Sequence, residues 1–191
     1  ALRNSIRVLG AGTLWNAGGG AVSIGPSSQG VTRENLLSIA DGASATNVGT
    51  VWLGYANAHP AFANRLVVTN AARLFSTGGA LIGRANPSTS QPRASNFNGA
   101  LVGGANARWD LGGAALTVGT ATLGTAYPSC TATCNWVRVE SGGSVTNVGA
   151  LTIGSGALAF QNRLELVGGA LSAASLALNG NNVLAPVLTP Q

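Results

Sequence analysis

Charge is the scarcest property of this chain of 191 residues, since Asp, Glu, Lys and Arg make up only 8% of it. An average globular protein carries about 25% of these residues. Lysine and methionine are absent, and histidine occurs once. No run approaches the ~20 apolar residues of a membrane helix, so we predict no membrane span. The apolar content of 46% excludes a disordered composition.

Acidic residues number five against ten arginines, which gives a net charge of +5. Such a balance can indicate a nucleic-acid partner, but that interpretation needs a basic cluster or a row of stacking aromatic residues. The arginines are scattered singly along the chain. We therefore predict no nucleic acid among the partners.

Catalytic groups are equally sparse. Counted from the start of each repeat described below, no two acids share a position in neighbouring repeats, so paired carboxylates are not expected. The single His59 has no acid near it in sequence, and no nucleotide, hydrolase or metalloprotease motif occurs. We predict that the protein is not an enzyme and has no cofactor and no metal site. The acids are Glu34, Asp41, Asp110, Glu140 and Glu165.

The chain does contain an internal repeat, best seen in NWVRVESGGSVTNVGALTIG, which begins at Asn135. Six copies can be aligned, each beginning with an asparagine and ending in a glycine or, in the last copy, Asn179. In the fourth copy Asn98 is preferred over Asn96, because it aligns Trp109 with Trp15. The six asparagines are Asn4, Asn35, Asn64, Asn98, Asn135 and Asn162.

Apolar residues alternate with small or polar ones inside each copy, as in Val137 and Val139. A period of two is typical of strands. One copy cannot bury its apolar side alone, whereas stacked copies build a continuous core. The sequence therefore predicts one all-β domain over residues 1–191, a right-handed parallel β-helix with about six coils of three short strands each.

The recurring asparagine predicts a ladder of side-chain amides along the axis of the stack. Asparagine tolerates left-handed backbone at a corner, and amides stacked in register bond to one another. A row of ligand-binding amides is the alternative. We favour the structural ladder, because stacking alone explains a group that occurs once per coil.

Two long connections, Arg84–Phe97 and Thr120–Cys134, contain prolines that disfavour central strand pairing. If the coils are in register, these connections leave from the same corner and form a ridge. Insertions on one face of a repeat protein often bind a partner. Covering the open side of the core explains them equally well.

The cysteines Cys130 and Cys134 both fall in the second of these connections. We predict an intramolecular disulfide in an oxidising compartment. Zinc is the weaker alternative, because two thiolates and a distant histidine do not complete a tetrahedral site.

The pattern N-x-L-x-V-x-x-G-A, followed by a strand and L-x-I-G, resembles β-solenoid repeats of secreted bacterial surface proteins. It is most similar to autotransporter passenger repeats and to repeats associated with PEP-CTERM proteins. This resemblance covers Asn4 to Asn179. It implies an exported, cell-surface or extracellular protein and transfers no catalytic residue.

Function is predicted from the two ends of the repeat array. We expect Ile6 and Val8 in the first coil, and Leu176 and Leu178 in the last, to form an end-to-end interface. The resulting polymer would be an extracellular filament in which the chain's partner is itself. The alternative is an adhesin or carbohydrate-binding module that contacts surface glycans through residues 84–97 and 120–134. Without an initiator methionine, we expect a mature or excised segment.

Overall fold

The structure is a computed structural model that describes residues 2–86, 93–121 and 130–187. Regular secondary structure in these ranges is all β-strand, and no helix occurs in them. The strands form three sheets in which neighbouring strands run parallel. This parallel all-β architecture is of the β-solenoid type that the repeat predicts.

The first sheet contains the strand that follows each repeated asparagine. Inward positions carry Leu37, Leu66 and Leu164, and each pairs in register with the equivalent residue one strand away. Numbered in chain order, its strands are, within the described residues, β1 (Ser5–Leu9), β5 (Leu36–Ala40), β9 (Arg65–Thr69), β13 (Gly99–Gly103), β17 (Trp136–Glu140), β20 (Arg163–Val167) and β22 (Val183–Val187).

The second sheet consists of two groups of strands, here called wings. The long strand β18 joins them, because its first residues pair with one wing and its last residues pair with the other. Its order in the described part of the chain is β2 (Leu14–Asn16), β6 (Ser44–Val48), β10 (Arg73–Ser76), β14 (Arg108–Asp110), β18 (Ser144–Ser155), β15 (Leu116–Ala121), β11 (Ala80–Ala85), β7 (Val51–Ala56) and β3 (Val22–Ile24), with β21 (Ala170–Leu178) on the far side of β18.

The third sheet was missed by the sequence analysis, which predicted three short strands per coil and assigned these segments to connections. Its order is β19 (Ala159–Phe160), β16 (Thr131–Thr133), β12 (Ala94–Asn96), β8 (Ala61–Phe62) and β4 (Thr32–Arg33) among the described residues. These strands have two or three residues each, too few to show a period. Their inward side chains are small, so they carry no apolar alternation either.

Two hydrophobic clusters fill the space between the sheets. The larger lies between the first and second sheets and contains Leu53, Ile82 and the fully buried Trp109. The smaller lies beside the third sheet and consists of Ala56, Ala61, Ala85, Ala121, Cys130, Ala132 and Ala159. Small side chains therefore fill the corner beside the third sheet, and larger apolar side chains fill the interior between the first and second sheets.

Both long connections begin and end in register. Arg84 pairs with Thr120 before them, and Ala94 pairs with Thr131 after them. They thus leave and rejoin the stack at the same corner, as predicted. Their inner portions, residues 87–92 and 122–129, lie outside the described residues.

The last predicted copy ends at Asn179, and strand β22, which follows it, was not predicted. Strand β22 pairs along its whole length with β20, and Pro186 pairs with Leu166. Proline is tolerated here because β22 is the last strand of its sheet in the described part of the chain, and its outer edge needs no N–H from that residue.

The glycine that ends a copy, here called the closing glycine, is required for two reasons: its backbone conformation and the lack of space for a side chain. Gly83 has a φ of +75°, and a Cβ there would lie 2.1 Å from Cγ of Asn135. The same contact joins Gly25 to Asn64, Gly54 to Asn98, Gly119 to Asn162 and Gly154 to Asn182. Each closing glycine therefore supports an asparagine of the ladder.

Replacing Gly83 by alanine tests this double requirement. Gly113 is the matched control, because its φ is +87° but a Cβ there meets nothing within 4 Å. We expect Gly113→Ala to lower the free energy of unfolding by about 1–2 kcal/mol through backbone strain alone. Gly83→Ala should cost about 3 kcal/mol or more, since the Asn135 amide must also move.

Chemical denaturation of the two variants measures the difference. Equal losses of stability would contradict the role of the glycine in supporting the ladder.

Candidate functional site

All six predicted asparagines line up in one column at the corner between the third and first sheets. The Asn64 Nδ2 donates to Asn98 Oδ1 at 2.9 Å, and the Asn64 backbone N–H donates to the same oxygen at 3.0 Å. The same pair of bonds joins each member to the next. Asn35, Asn64, Asn98, Asn135 and Asn162 are buried, while Asn4 is exposed.

A seventh member, Asn182, was missed. Its Oδ1 accepts from the Asn162 backbone N–H and from Asn162 Nδ2, both at 2.9 Å. The signal was available in the sequence, because the apolar Val183 and Leu184 follow it. It was missed because it follows Asn162 by only 20 residues, a shorter interval than between the other ladder asparagines.

The second amide hydrogen of several ladder residues ties the first sheet to the third. Asn135 Nδ2 donates to the Ser95 carbonyl at 2.8 Å, and Asn162 Nδ2 donates to the Ala132 carbonyl at 2.9 Å. Asn182 makes the equivalent bond to Ala159 at 3.0 Å. A buried amide with its donors and acceptor satisfied adds rigidity, whereas one left unpaired is costly. This arrangement is a structural brace, and no ligand is needed to explain it.

Residues just before the ladder asparagines adopt the left-handed conformation without being glycine. Their φ values lie between 52° and 60°, at Arg3, Glu34, Ala63, Phe97, Cys134 and Gln161. Such backbone costs a non-glycine residue roughly 1 kcal/mol. The ladder bonds that follow hold the corner in this conformation and offset the cost.

The apolar core is open at the first coil. Ile6 occupies an inward column yet is 62% exposed. Together with Trp15, Val22 and Ile24 it lines an apolar cavity of about 220 Å³. Val8, predicted to share this interface, is only 8% exposed and is covered within its own subunit.

The core is open again at the last coil. Leu176 and Leu178 continue the inward columns of Leu151 and Ile153 through the pairing of β18 with β21. They are 52% and 47% exposed, respectively, because no described strand covers them. Three of the four predicted interface residues therefore lie on exposed apolar ends of the stack.

The two ends of the ladder are chemically different. Each ladder asparagine donates forward along the chain and accepts from the member before it. Among the described residues, the Oδ1 of Asn4 receives no hydrogen bond and the backbone N–H of Asn182 makes none. One end thus presents an acceptor and the other a donor.

Each of the five acidic side chains is ion-paired with, or hydrogen-bonded to, a neighbouring side chain. Glu34 pairs with Arg3 at 2.7 Å, and Asp41 Oδ1 accepts from Asn70 Nδ2 at 3.0 Å. Although Glu140 and Glu165 share no column, both pair with Arg138, Glu140 from the same strand and Glu165 from the neighbouring strand β20. Glu165 also pairs with Arg163 at 2.8 Å.

Asp110 is the most enclosed of these acids. Burial acts to raise its pKa, but hydrogen bonds from the Gly112 N–H and Asn147 amide, with the Arg108 guanidinium, outweigh that effect. The pKa of Asp110 therefore lies below its ordinary value. The distance from Arg108 Nη2 to the Asp110 carboxylate is 2.6 Å.

The two cysteines are free thiols, so the predicted disulfide does not form in this structure. Strand β16 lies between them, and four residues of extended chain span about 13 Å. A disulfide requires Cα atoms about 4.4–6.8 Å apart. Cys130 is buried in the alanine cluster, and Cys134 Sγ lies 3.5 Å from Gln161 Oε1. This segment was predicted to be part of a connection, and its strand was missed.

Within the described ranges, no three side chains of His, Cys, Asp or Glu group together as metal ligands. The same part of the chain contains no helix long and apolar enough to cross a membrane. Comparison with protein-family models, with curated proteins and with solved structures finds no match for this chain.

Truncating a central ladder residue tests its structural role. Asn98→Ala leaves the buried N–H and Nδ2 of Asn64 without their acceptor, so we expect a loss of about 3 kcal/mol or more in unfolding free energy. Asn16 is the control, because it is exposed and its partners Gly18 and Asn47 can bond to water. Asn16→Ala should cost less than about 1 kcal/mol.

Thermal and urea unfolding of both variants provide the comparison. A loss for Asn98→Ala no larger than that for Asn16→Ala would refute the structural ladder.

The lowered pKa of Asp110 predicts a dependence of stability on pH. A depressed carboxyl pKa contributes stability that is present above the unfolded value of about 3.9 and is lost as pH falls through the folded value. We expect Asp110→Asn to flatten the decline in unfolding free energy between about pH 5 and pH 2. Urea titrations at a series of pH values measure the slope, and identical slopes in both proteins would contradict the prediction.

Proposed function

We propose that this chain is a subunit of an extracellular, cell-surface filament, built by head-to-tail stacking of right-handed β-solenoids of about six coils. The observation that carries the proposal is the pair of open ends, where inward apolar columns lie exposed at Ile6 and at Leu176 and Leu178. Exposed apolar surface and unpaired strand edges at a solenoid end are templates for association unless they are covered.

The polarity of the amide ladder supports head-to-tail stacking. A second copy placed on the last coil brings its Asn4 Oδ1 to the position where each ladder residue finds its acceptor, next to the Asn182 N–H. Two first coils facing each other would oppose acceptor to acceptor. The contact is therefore heterologous, and heterologous contacts that do not close produce filaments.

Strand pairing supports the same arrangement. The outer edge of β22, the last strand of its sheet in the described part of the chain, can pair with β1 of the next subunit except at Pro186, which has no N–H to donate. Strand β21 spans both wings of its sheet as β18 does. Continued parallel pairing at about 4.8 Å per coil would bury the cavity at Ile6 under the leucines of the neighbouring copy.

The extracellular location rests on the sparse charge and on the resemblance to secreted surface repeats. The acids of the described structure are engaged in pairs or hydrogen bonds, which supports a structural role rather than an enzymatic one.

A second candidate, an adhesive module that binds glycans, is favoured by one observation. The long connections leave the stack at a single corner, next to an aromatic and arginine cluster on the outer face. Such a surface is compatible with filament formation, because it lies on the side of the stack and not at its ends.

Charged substitutions at the two ends test the filament. We expect purified wild-type chain to grow in mass with concentration, and Ile6→Asp or Leu178→Asp to remain monomeric, because either carboxylate would be desolvated at the junction. Phe97→Asp is the matched control, since Phe97 is 54% exposed but lies at a corner of the third sheet. This variant should assemble as the wild type does.

Mixing the two end variants separates polar stacking from general stickiness. Ile6→Asp retains an intact last coil, and Leu178→Asp retains an intact first coil, so their mixture should form dimers and stop there. Light scattering after size exclusion reads out the mass. A wild-type monomer at all concentrations, or polymers in the mixture, would rule out this mode of assembly.

A further inference from the structure

An aromatic and polar cluster lies on the outer face of the second sheet, where β7 and β11 run side by side. Trp52 and Tyr55 project from β7, with ring centroids 4.6 Å apart and planes inclined at 48°. They are three residues apart and share one side because the left-handed Gly54 reverses the alternation between them. Both rings are partly exposed.

Arg84 is held against these rings by several contacts. Its guanidinium carbon lies 5.3 Å from the Trp52 centroid and 5.5 Å from the Tyr55 centroid. Its Nε donates to Asn86 Oδ1 at 3.0 Å. Asn86 Nδ2 in turn donates to Tyr55 Oη at 2.5 Å and to Asn57 Oδ1 at 3.0 Å. The side chain is therefore positioned before any ligand arrives.

The two terminal nitrogens of Arg84 have no partner among the described residues. Every acid of the chain lies in the described part, and each is engaged by an arginine or an asparagine elsewhere. A guanidinium that is fixed through Nε and by the rings, and whose Nη groups have no partner in the described part of the chain, presents a fork for a carboxylate or sulfate.

From this geometry we propose that the cluster Trp52, Tyr55, Asn57, Arg84 and Asn86 is a binding site for acidic polysaccharide. The Arg84 guanidinium binds the acid group of one sugar unit. The apolar faces of Trp52 and Tyr55 take the ring of that unit or its neighbour. The side-chain amides of Asn57 and Asn86 can form hydrogen bonds with sugar hydroxyls.

The arrangement favours a sugar acid over nucleic acid. A single-stranded nucleic acid needs a groove of several cations with successive aromatic platforms. Here one cation serves two rings that are tilted toward each other. The site deepens the second candidate function, because Asn86 immediately precedes residues 87–92 of the long connection.

Calorimetric titration with oligoglucuronate tests the proposal, and the corresponding glucose oligomer of equal length is the neutral control. We expect the acid oligomer to bind and the neutral one not to bind. The titration uses the full chain carrying Ile6→Asp, which the filament proposal predicts to be monomeric. A failure of binding is thus distinguishable from a failure of assembly.

Two variants locate the site. Arg84→Gln should weaken binding about tenfold or more, as expected for loss of a charge-assisted bond, and Trp52→Leu should weaken it too. Arg73→Gln removes the same charge from an exposed arginine that also has no acid partner, and it should leave affinity unchanged. Circular dichroism and thermal unfolding check that each variant is folded.

Four outcomes would overturn the proposal. The first is no binding by the parent chain, and the second is equal binding of the neutral oligomer. The third is an equal loss in Arg73→Gln, which would mean diffuse attraction to the positive chain. Competition by a single-stranded oligonucleotide that depends on Arg84 would assign the site to a different ligand and would also overturn it.

Discussion

The buried column of asparagine amides is the interaction on which the rest of this structure depends. From Asn35 onward, each Oδ1 accepts two bonds from the previous member, and an Nδ2 hydrogen of Asn98, Asn135, Asn162 and Asn182 reaches a carbonyl of the third sheet. A buried amide without hydrogen-bond partners lowers stability. Every coil must therefore place its asparagine at the same corner, in line with the asparagines of the neighbouring coils. The column therefore determines the register in which the three sheets stack.

Glycine and alanine adapt the rest of the corner to this column. A closing glycine such as Gly83 leaves room for the Asn135 amide, and small side chains such as Ala61 and Ala132 let the third sheet approach closely. The large apolar residues are confined to the wider space between the first and second sheets. This division explains how a chain so rich in glycine still forms a continuous core.

The sides and the ends of the stack differ in chemistry. On the sides, the few acids are ion-paired or hydrogen-bonded, and two of the surplus arginines, Arg65 and Arg84, rest on aromatic rings. At the ends, apolar columns are exposed, and the ladder is left with an unmatched acceptor at Asn4 and an unmatched donor at Asn182 among the described residues. This difference supports the proposals that ligands bind to the sides and that other copies of the chain bind to the ends.

The sequence alone was sufficient to predict parallel strands and the six asparagines, because both recur at each coil and stacking multiplies a weak local signal. It could not reveal the third sheet, since strands such as Ala61–Phe62 are shorter than any detectable period. The strand between Cys130 and Cys134, which separates the thiols, was hidden for the same reason. Only the tertiary structure placed Arg84 over Trp52 and Tyr55, because a contact between neighbouring coils depends on register and not on distance along the chain.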